Sequence, residues 1–504
     1  MSLSRTLKRG LLVAGCAVAL GFAATPSITL AASDLLRIGL QADLSSFDPT
    51  RLNTGTGVTT NLLYNSLIYL DAGGTPHPEL AKSWSFSPDG RTLTLNLVDG
   101  VTFHDGRKMT SKDVAYSLEY AGTPAVGANI LPFTKLIQQV DTPNDDTVVL
   151  HVNGSQRVIY DLLDLLYVID SQHPKDIFTS GNGTGPYKLV SFDPGQSAEF
   201  VLYDKYWGQK PAIKRVEIKE LPDAQSALAQ LRAGAVDFLP TITRENAAQL
   251  AGSRFKTGIA SADALGFDVG INVDKPPFDK PEVRKAVSLA LDRKRIAAEI
   301  GGPGSIVKCL PWTELDKADS AGLEDSCPYD PAQAKALIAK AGATGATVEI
   351  LSSGQSAPEI GTLAQVMQSS LAQIGLNARI TDLAGTAFVA QFRKSQFQLT
   401  SHSYGRASRS AQALLMSAVV FWAKGNVMGV KSQSYEDDVN LVVNSPTDTP
   451  ETAAAWKRID QFMLSDNWVL PLATNPIRWA SSPKLSGVAF SLDGAPNFDG
   501  AVLN

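Results

Sequence analysis

Residues 330–352 read DPAQAKALIAKAGATGATVEILS and set one helix directly before one strand. Asp330 suits an N-cap, Pro331 the first helical position, and Gly342 follows the last apolar position. Together they mark both ends of a helix. TVEILS at 347–352 then reads as a strand, and the unit recurs downstream. A helix is expected at about 358–374, a strand at LNARIT (376–381), a helix at about 385–394, a strand at FQLTS (397–401) and a helix at about 410–422. Strands alternating with crossover helices imply an α/β fold with a parallel sheet covered on both faces. Ligands of such sheets sit beyond the carboxyl ends of the strands.

Upstream the pattern changes. Val283, Ala286, Val287, Ala290 and Leu291 form one apolar stripe on a helix expected at about 281–299. A shorter helix is expected at 223–233, capped by Asp223 and stopped by Gly234. Strands AEFVLY (198–203) and KRVEIKEL (214–221) precede it. TLTLNLVDGVTFH (92–104) alternates on both sides of Asp99–Gly100, the signature of a tight hairpin. With TVVLHV at 147–152, it makes 49–180 a segment of antiparallel strands with occasional helices.

The chain of 504 residues is too long for one hydrophobic core, so two or three packed units are expected. Its first 32 residues hold Arg5, Lys8 and Arg9, then the apolar run LLVAGCAVALGFAA, then small residues, which is the pattern of a secretory signal peptide. VAGC at 13–16 also resembles a lipidation site at Cys16. Cleavage near Ala31 or Ala32 is the preferred reading because it uses the whole apolar run. Without residues 1–32 the chain has 42 basic and 50 acidic groups and no basic stripe, which argues against nucleic acid as a partner. An exported, soluble mature chain is expected.

Two cysteines remain, Cys309 and Cys327, around a Pro/Gly/Asp-rich loop. In an oxidising compartment they read as a disulfide worth about 3 kcal/mol in the chain-entropy model; two buried free thiols are the alternative. No His or further Cys is spaced to complete a metal site with them, and no cofactor motif occurs. Constellations for catalysis fail the same test: there is no Gly-x-Ser-x-Gly elbow, no His-Glu-x-x-His and no Walker loop. GNGTGPY (181–187) suggests a dinucleotide loop, but Pro186 and the following strand leave no helix to receive phosphates. His104 and Asp105, in FHDG, read as turn residues.

Six blocks in order carry a resemblance. They are LRIGLQADLSSFDPT (36–50), the segment 79–119 around SWSFSPDGRTLTLNL, GTGPYKLVSFDPG (183–195), the segment 203–238 from YDKYW to GAVDF, PPFDKPEVRKAVSLALDRKRIA (276–297) and YDPAQAKALIAKAG (329–342). They resemble the family 5 extracellular solute-binding proteins of bacterial ABC importers, the peptide, nickel and opine type. The resemblance implies a two-lobed periplasmic-binding-protein clamp of the large class II form, closing on a small organic solute and serving a separate permease. It implies a first lobe made of 33–48, 181–268 and 480–504, an α+β subdomain at 49–180 and a second lobe at 269–479.

It also directs attention to the ligand. The first-lobe contribution would come from Asn53, Thr54 and Gly55 in RLNTGTGVTTN (51–61), residues that equally suit a turn. In the second lobe the candidates follow strands: Ser353, Gly354 and Gln355, and then SHSYGRASRS (401–410) with Tyr404, Arg406 and Arg409. Peptide-binding members typically carry an aspartate in the last of these stretches, whereas this chain has no acid between Asp382 and Glu436. Two arginines near a helix N-terminus favour a carboxylate or phosphate, unless they are solvated or paired across the cleft. An opine-like or modified-peptide solute with an anionic group is therefore expected. An ordinary di- or oligopeptide, the alternative, would need an acid from another segment, and a clamp-fold receptor or chaperone without transport is the other alternative.

Overall fold

The computed structural model describes residues 34–51, 56–312, 326–355 and 357–504. The expected signal peptide and Cys16 lie outside the described residues. No helix among the described residues is long and apolar enough to cross a membrane.

Two mixed sheets organise the chain. The first has seven strands in the order Lys256–Ser261, Ile477–Ser481, Phe238–Ile242, Leu35–Leu40, Arg215–Glu220, Ser197–Leu202 and Tyr187–Asp193. Leu35–Leu40 lies at its centre, parallel to both neighbours, with Leu36 and Ile38 fully buried. The second has five strands in the order Asn377–Asp382, Thr347–Ser352, Leu399–Gly405, Leu265–Ile271 and Val469–Thr474. Helices Pro331–Lys340, Pro358–Gln373 and Gly385–Arg393 form where the sequence marks them, whereas the one expected at about 410–422 spans only Ala411–Ser417. Asp330 accepts from Gln333 N at 2.8 Å to start Pro331–Lys340, and such a cap contributes about 1 kcal/mol. Gly342 takes the left-handed φ of 67° just beyond the end.

Four expectations need correction. The second sheet is not wholly parallel, because Leu265–Ile271 runs against both of its neighbours. The chain enters this sheet from the first one, between Ser261 and Leu265, and returns between Thr474 and Ile477. An entering strand starts at the edge where the βα strands finish, so it must run the other way. For the same reason the expected boundary at 268–269 falls inside a strand, and the crossing lies a few residues earlier. The long helix at 281–299 is interrupted: Pro281–Ala290 ends at Leu291, and Asp292 caps a new start by accepting from Arg295 N at 3.0 Å. Finally, Asp99–Gly100 does turn the chain (Gly100 φ 76°), but it makes no hairpin. Thr92–Leu97 pairs instead with Ala81–Phe86 and Thr147–Val152.

Those three strands and Ile137–Asn144 form a four-stranded antiparallel sheet in the segment 49–180, backed by helices Ser111–Gly122 and Gln156–Leu165. Its core does not stop at the segment's edge. Phe133, Ile159 and Leu162 share one apolar cluster with Leu414, Phe421 and Trp456 from the second unit. The two halves thus meet over a continuous buried surface beside the cleft. Cys309 is bonded to Cys327, with Cα atoms 5.8 Å apart, which decides between the two readings of that pair.

Candidate functional site

A cavity of about 470 Å³ lies between the sheet-bearing units, walled by three separate parts of the chain. One wall is built from residues 57–79, 129 and 164–206, one from 264–265 and 402–419, and one from the C-terminal segment 491–499.

The first wall owes its shape to the glycines of GNGTGPY. A Cβ on Gly185 would lie 2.5 Å from Leu63 C and 2.6 Å from Leu62 O, so only glycine lets this loop press against the end of helix Gly57–Leu63. That contact fixes Asn61, Tyr64 and Asn65 in the wall. Asn61 accepts from Tyr167 OH at 2.9 Å and donates to Pro496 O at 3.1 Å, tying the wall to the C-terminal segment. Asn65 donates to Glu79 Oε1 at 2.8 Å, and Ser66 Oγ donates to Glu79 Oε2 at 2.5 Å. Burial still pushes the Glu79 carboxyl up to about 7, against these hydrogen bonds.

The second wall is the carboxyl end of strand Leu399–Gly405. SHSYG is its last five residues, so the strand runs four residues past the expected end at Ser401. Tyr404 is buried edge-on against Phe421 with ring centres 5.3 Å apart, and burial raises its phenol well above the usual range. The strand also explains why Ser353, Gly354 and Gln355 do not line the cavity, contrary to expectation. Thr347–Ser352 stops with Ser352 opposite Ser401, and the neighbouring strand continues for four more residues, roughly 13 Å. The shorter strand's loop folds back on its sheet edge, where Gly354 N donates to Asp382 Oδ1 at 2.7 Å and Gln355 Nε2 to Asp382 O at 2.8 Å.

The two arginines diverge. Arg406 takes a left-handed backbone (φ 63°), a conformation that costs a non-glycine residue about 1–3 kcal/mol and recurs at functional sites. Its guanidinium lines the cavity, donates to Asn129 O at 2.9 Å and lies over the Phe133 ring at 5.5 Å. Burial, aided by Arg409, lowers it to about 10, so it stays a cation at neutral pH. No carboxylate among the described residues pairs with it. Arg409 lines the cavity too, but it is already paired. Its side chain is 1% exposed and engaged by Asp161, Asp164 and Asp493, at 3.3, 2.7 and 2.7 Å. Burial alone would lower it, but the three carboxylates hold it firmly protonated. A guanidinium so surrounded has no charge to offer an anionic ligand.

The third wall was not legible in the sequence. Asp493 and Asp499 line the cavity from the C-terminal segment. Asp499 accepts from Asn497 Nδ2 at 3.2 Å, faces no cation among the described residues, and burial raises its carboxyl. Asn53, Thr54 and Gly55 lie outside the described residues. Away from the cavity, Asp105, Asp170 and His173 gather within 4.8 Å of one another. Asn182 Nδ2 already donates to both carboxylates, at 2.8 and 3.2 Å, and Arg107 pairs with Asp170, so protein donors satisfy the cluster as an ion-pair network.

Residues 75–420 match the model of the bacterial extracellular solute-binding proteins, family 5. The glutathione-binding protein GsiB of Pectobacterium atrosepticum is 26% identical over the full length of both chains. Among solved structures, NikA from Brucella suis in complex with Fe(III)-EDTA superposes with a TM-score of 0.83 at 21% identity, covering 93% of this chain and 100% of that one. The periplasmic binding protein DppA from Helicobacter pylori, in complex with the peptide STSA, gives 0.79 at 21% identity, covering 94% and 98%. These likenesses show the fold, the two-lobed clamp.

Proposed function

The chain belongs to the family 5 bacterial extracellular solute-binding proteins, and from that premise we propose that it captures a small zwitterionic, peptide-like solute in the cleft and hands it to an ABC permease. It is a transport receptor, not an enzyme. The lobes are the two sheet-bearing units, with residues 262–264 and 475–476 as the crossings about which a monomeric clamp closes.

One observation carries the solute class. The cavity holds a cation without a carboxylate partner, Arg406, and a carboxylate without a cationic partner, Asp499, among the described residues. Each is costly to bury unpaired and each is relieved by the opposite charge of a ligand. Arg406 takes an anionic group, and Asp499 takes an ammonium. The acid missing from 401–410 is thereby supplied from another segment, so an anionic group alone is not the whole of the recognition. A relative named for glutathione and a neighbour solved with a peptide agree with this class.

Calorimetry with glycyl-leucine, its N-acetyl derivative and its C-terminal amide tests the reading. The free dipeptide binds, and each cap weakens binding at least tenfold. Equal binding of all three would remove the basis for a two-charge site.

A further inference from the structure

Arg409 has no free charge for a ligand, yet it is the most completely engaged cation of the cleft. Its neighbours act with it: Ser410 Oγ donates to Asp161 Oδ2 at 2.5 Å and Ser408 Oγ to Asp493 Oδ1 at 3.0 Å. The tripeptide Ser408–Arg409–Ser410 follows strand Leu399–Gly405 of the second unit. All three acids lie on the other side of the cleft. Asp161 and Asp164 stand three apart on one face of helix Gln156–Leu165, and Asp493 sits in the C-terminal segment. Every one of these bonds therefore crosses the closure interface, and none needs a solute.

We infer that Arg409 is a closure latch, a positioning residue that holds the clamp shut from within the protein and so sets how much of the solute-free population is already closed. The inference rests on the clamp reading above but not on the solute's identity. Its physics lies in the charge count. With Arg409 present, the closed interface brings one cation against three carboxylates. Without it, closure would press Asp161, Asp164 and Asp493 together with no counter-ion, a like-charge contact in a buried place. The open form, which returns the carboxylates to water, would then win. Because apparent affinity scales with the fraction of competent protein, a closed population reduced tenfold raises the apparent Kd tenfold.

The test is small-angle scattering of the full mature protein, freed of solute by unfolding and refolding, with and without glycyl-leucine. Solute-free wild type should be nearly as compact as the loaded form. Arg409→Gln should be measurably more extended when solute-free and regain compactness only at saturating dipeptide, with an apparent Kd at least tenfold higher. A direct ligand role for Arg409 would change the Kd but leave the solute-free scattering untouched, and that result overturns the latch. So does a solute-free wild type as extended as the variant. If Arg409→Gln does not fold, Ser408→Ala/Ser410→Ala removes two cross-cleft donors while keeping the charge; it must extend the solute-free form, and unchanged scattering overturns the latch equally. Scattering that ignores the dipeptide in every variant, with no binding heat, counts instead against the dipeptide-like solute.

Discussion

Gly185→Ala probes how the loop of residues 181–187 builds the cavity. The added Cβ meets Leu63 C at 2.5 Å, Leu62 O at 2.6 Å and Tyr64 N at 2.7 Å, all backbone atoms. An ordinary carbon contact needs about 3.5 Å, so the helix end and the loop must part by roughly 1 Å. No side-chain rotation can absorb this. Overpacking of this kind costs about 1–3 kcal/mol, and a wholly backbone clash belongs at the upper end. For a unit of about 150–250 residues each kcal/mol lowers melting by about 2–4 °C, so a loss of about 2–3 kcal/mol predicts roughly 4–12 °C. The same displacement moves Asn61 and Asn65 in the cavity wall, and losing one hydrogen bond of about 1.4 kcal/mol weakens binding about tenfold. Thermal melting by circular dichroism and dipeptide calorimetry read the two effects. Gly405→Ala is the control: it also lies in the wall, but its Cβ meets nothing nearer than Leu265 Cδ2 at 3.8 Å, so melting should stay within about 0.5 kcal/mol of wild type. A Gly185→Ala protein that melts with wild type would show that this contact does not shape the site.

Arg406→Gly should separate binding from stability. Relief of the left-handed backbone, about 1 kcal/mol, offsets the lost bond to Asn129 of about 1 kcal/mol, while a lost charge-assisted ligand bond of about 1.5–3 kcal/mol weakens the dipeptide at least tenfold; unchanged affinity would remove Arg406 from the site. Glu79 gives a pH signature. Its folded carboxyl stands at about 7, above the ordinary carboxylate range, so its stabilising share is complete below that range and lost as pH rises through about 7. Glu79→Gln should therefore gain on wild type in melting temperature between pH 5.5 and pH 8, and parallel curves would contradict that. Reduction of Cys309–Cys327 should lower the melting temperature by several degrees; a melt indifferent to reductant would make the bond irrelevant to stability.

The sequence displayed what local chemistry controls. Asp330, Pro331 and Gly342 bracket a helix because caps and backbone freedom are properties of neighbours in the chain. Asp223 and Gly234 do the same for Ala224–Ala233. What stayed hidden depends on register and closure. Whether Gln355 or Arg406 reaches the cavity turns on one strand outrunning its neighbour by four residues, which no periodicity in either segment records. Arg406 and Arg409 look equivalent as residues three apart. Both line the cavity, but only Arg409 is held by three carboxylates, two of which lie more than 240 positions earlier in the chain. Asp499 carries no motif at all. It reaches the cavity because the C-terminal segment returns to the cleft.

Mass spectrometry of the solute released by denaturing protein purified from its native host tests the two-charge cleft most directly. The released compound should be a small solute bearing both an acidic and a basic group, absent from the Arg406→Gly protein isolated in the same way. A solute with only one kind of charge, or one retained undiminished by that variant, would contradict it.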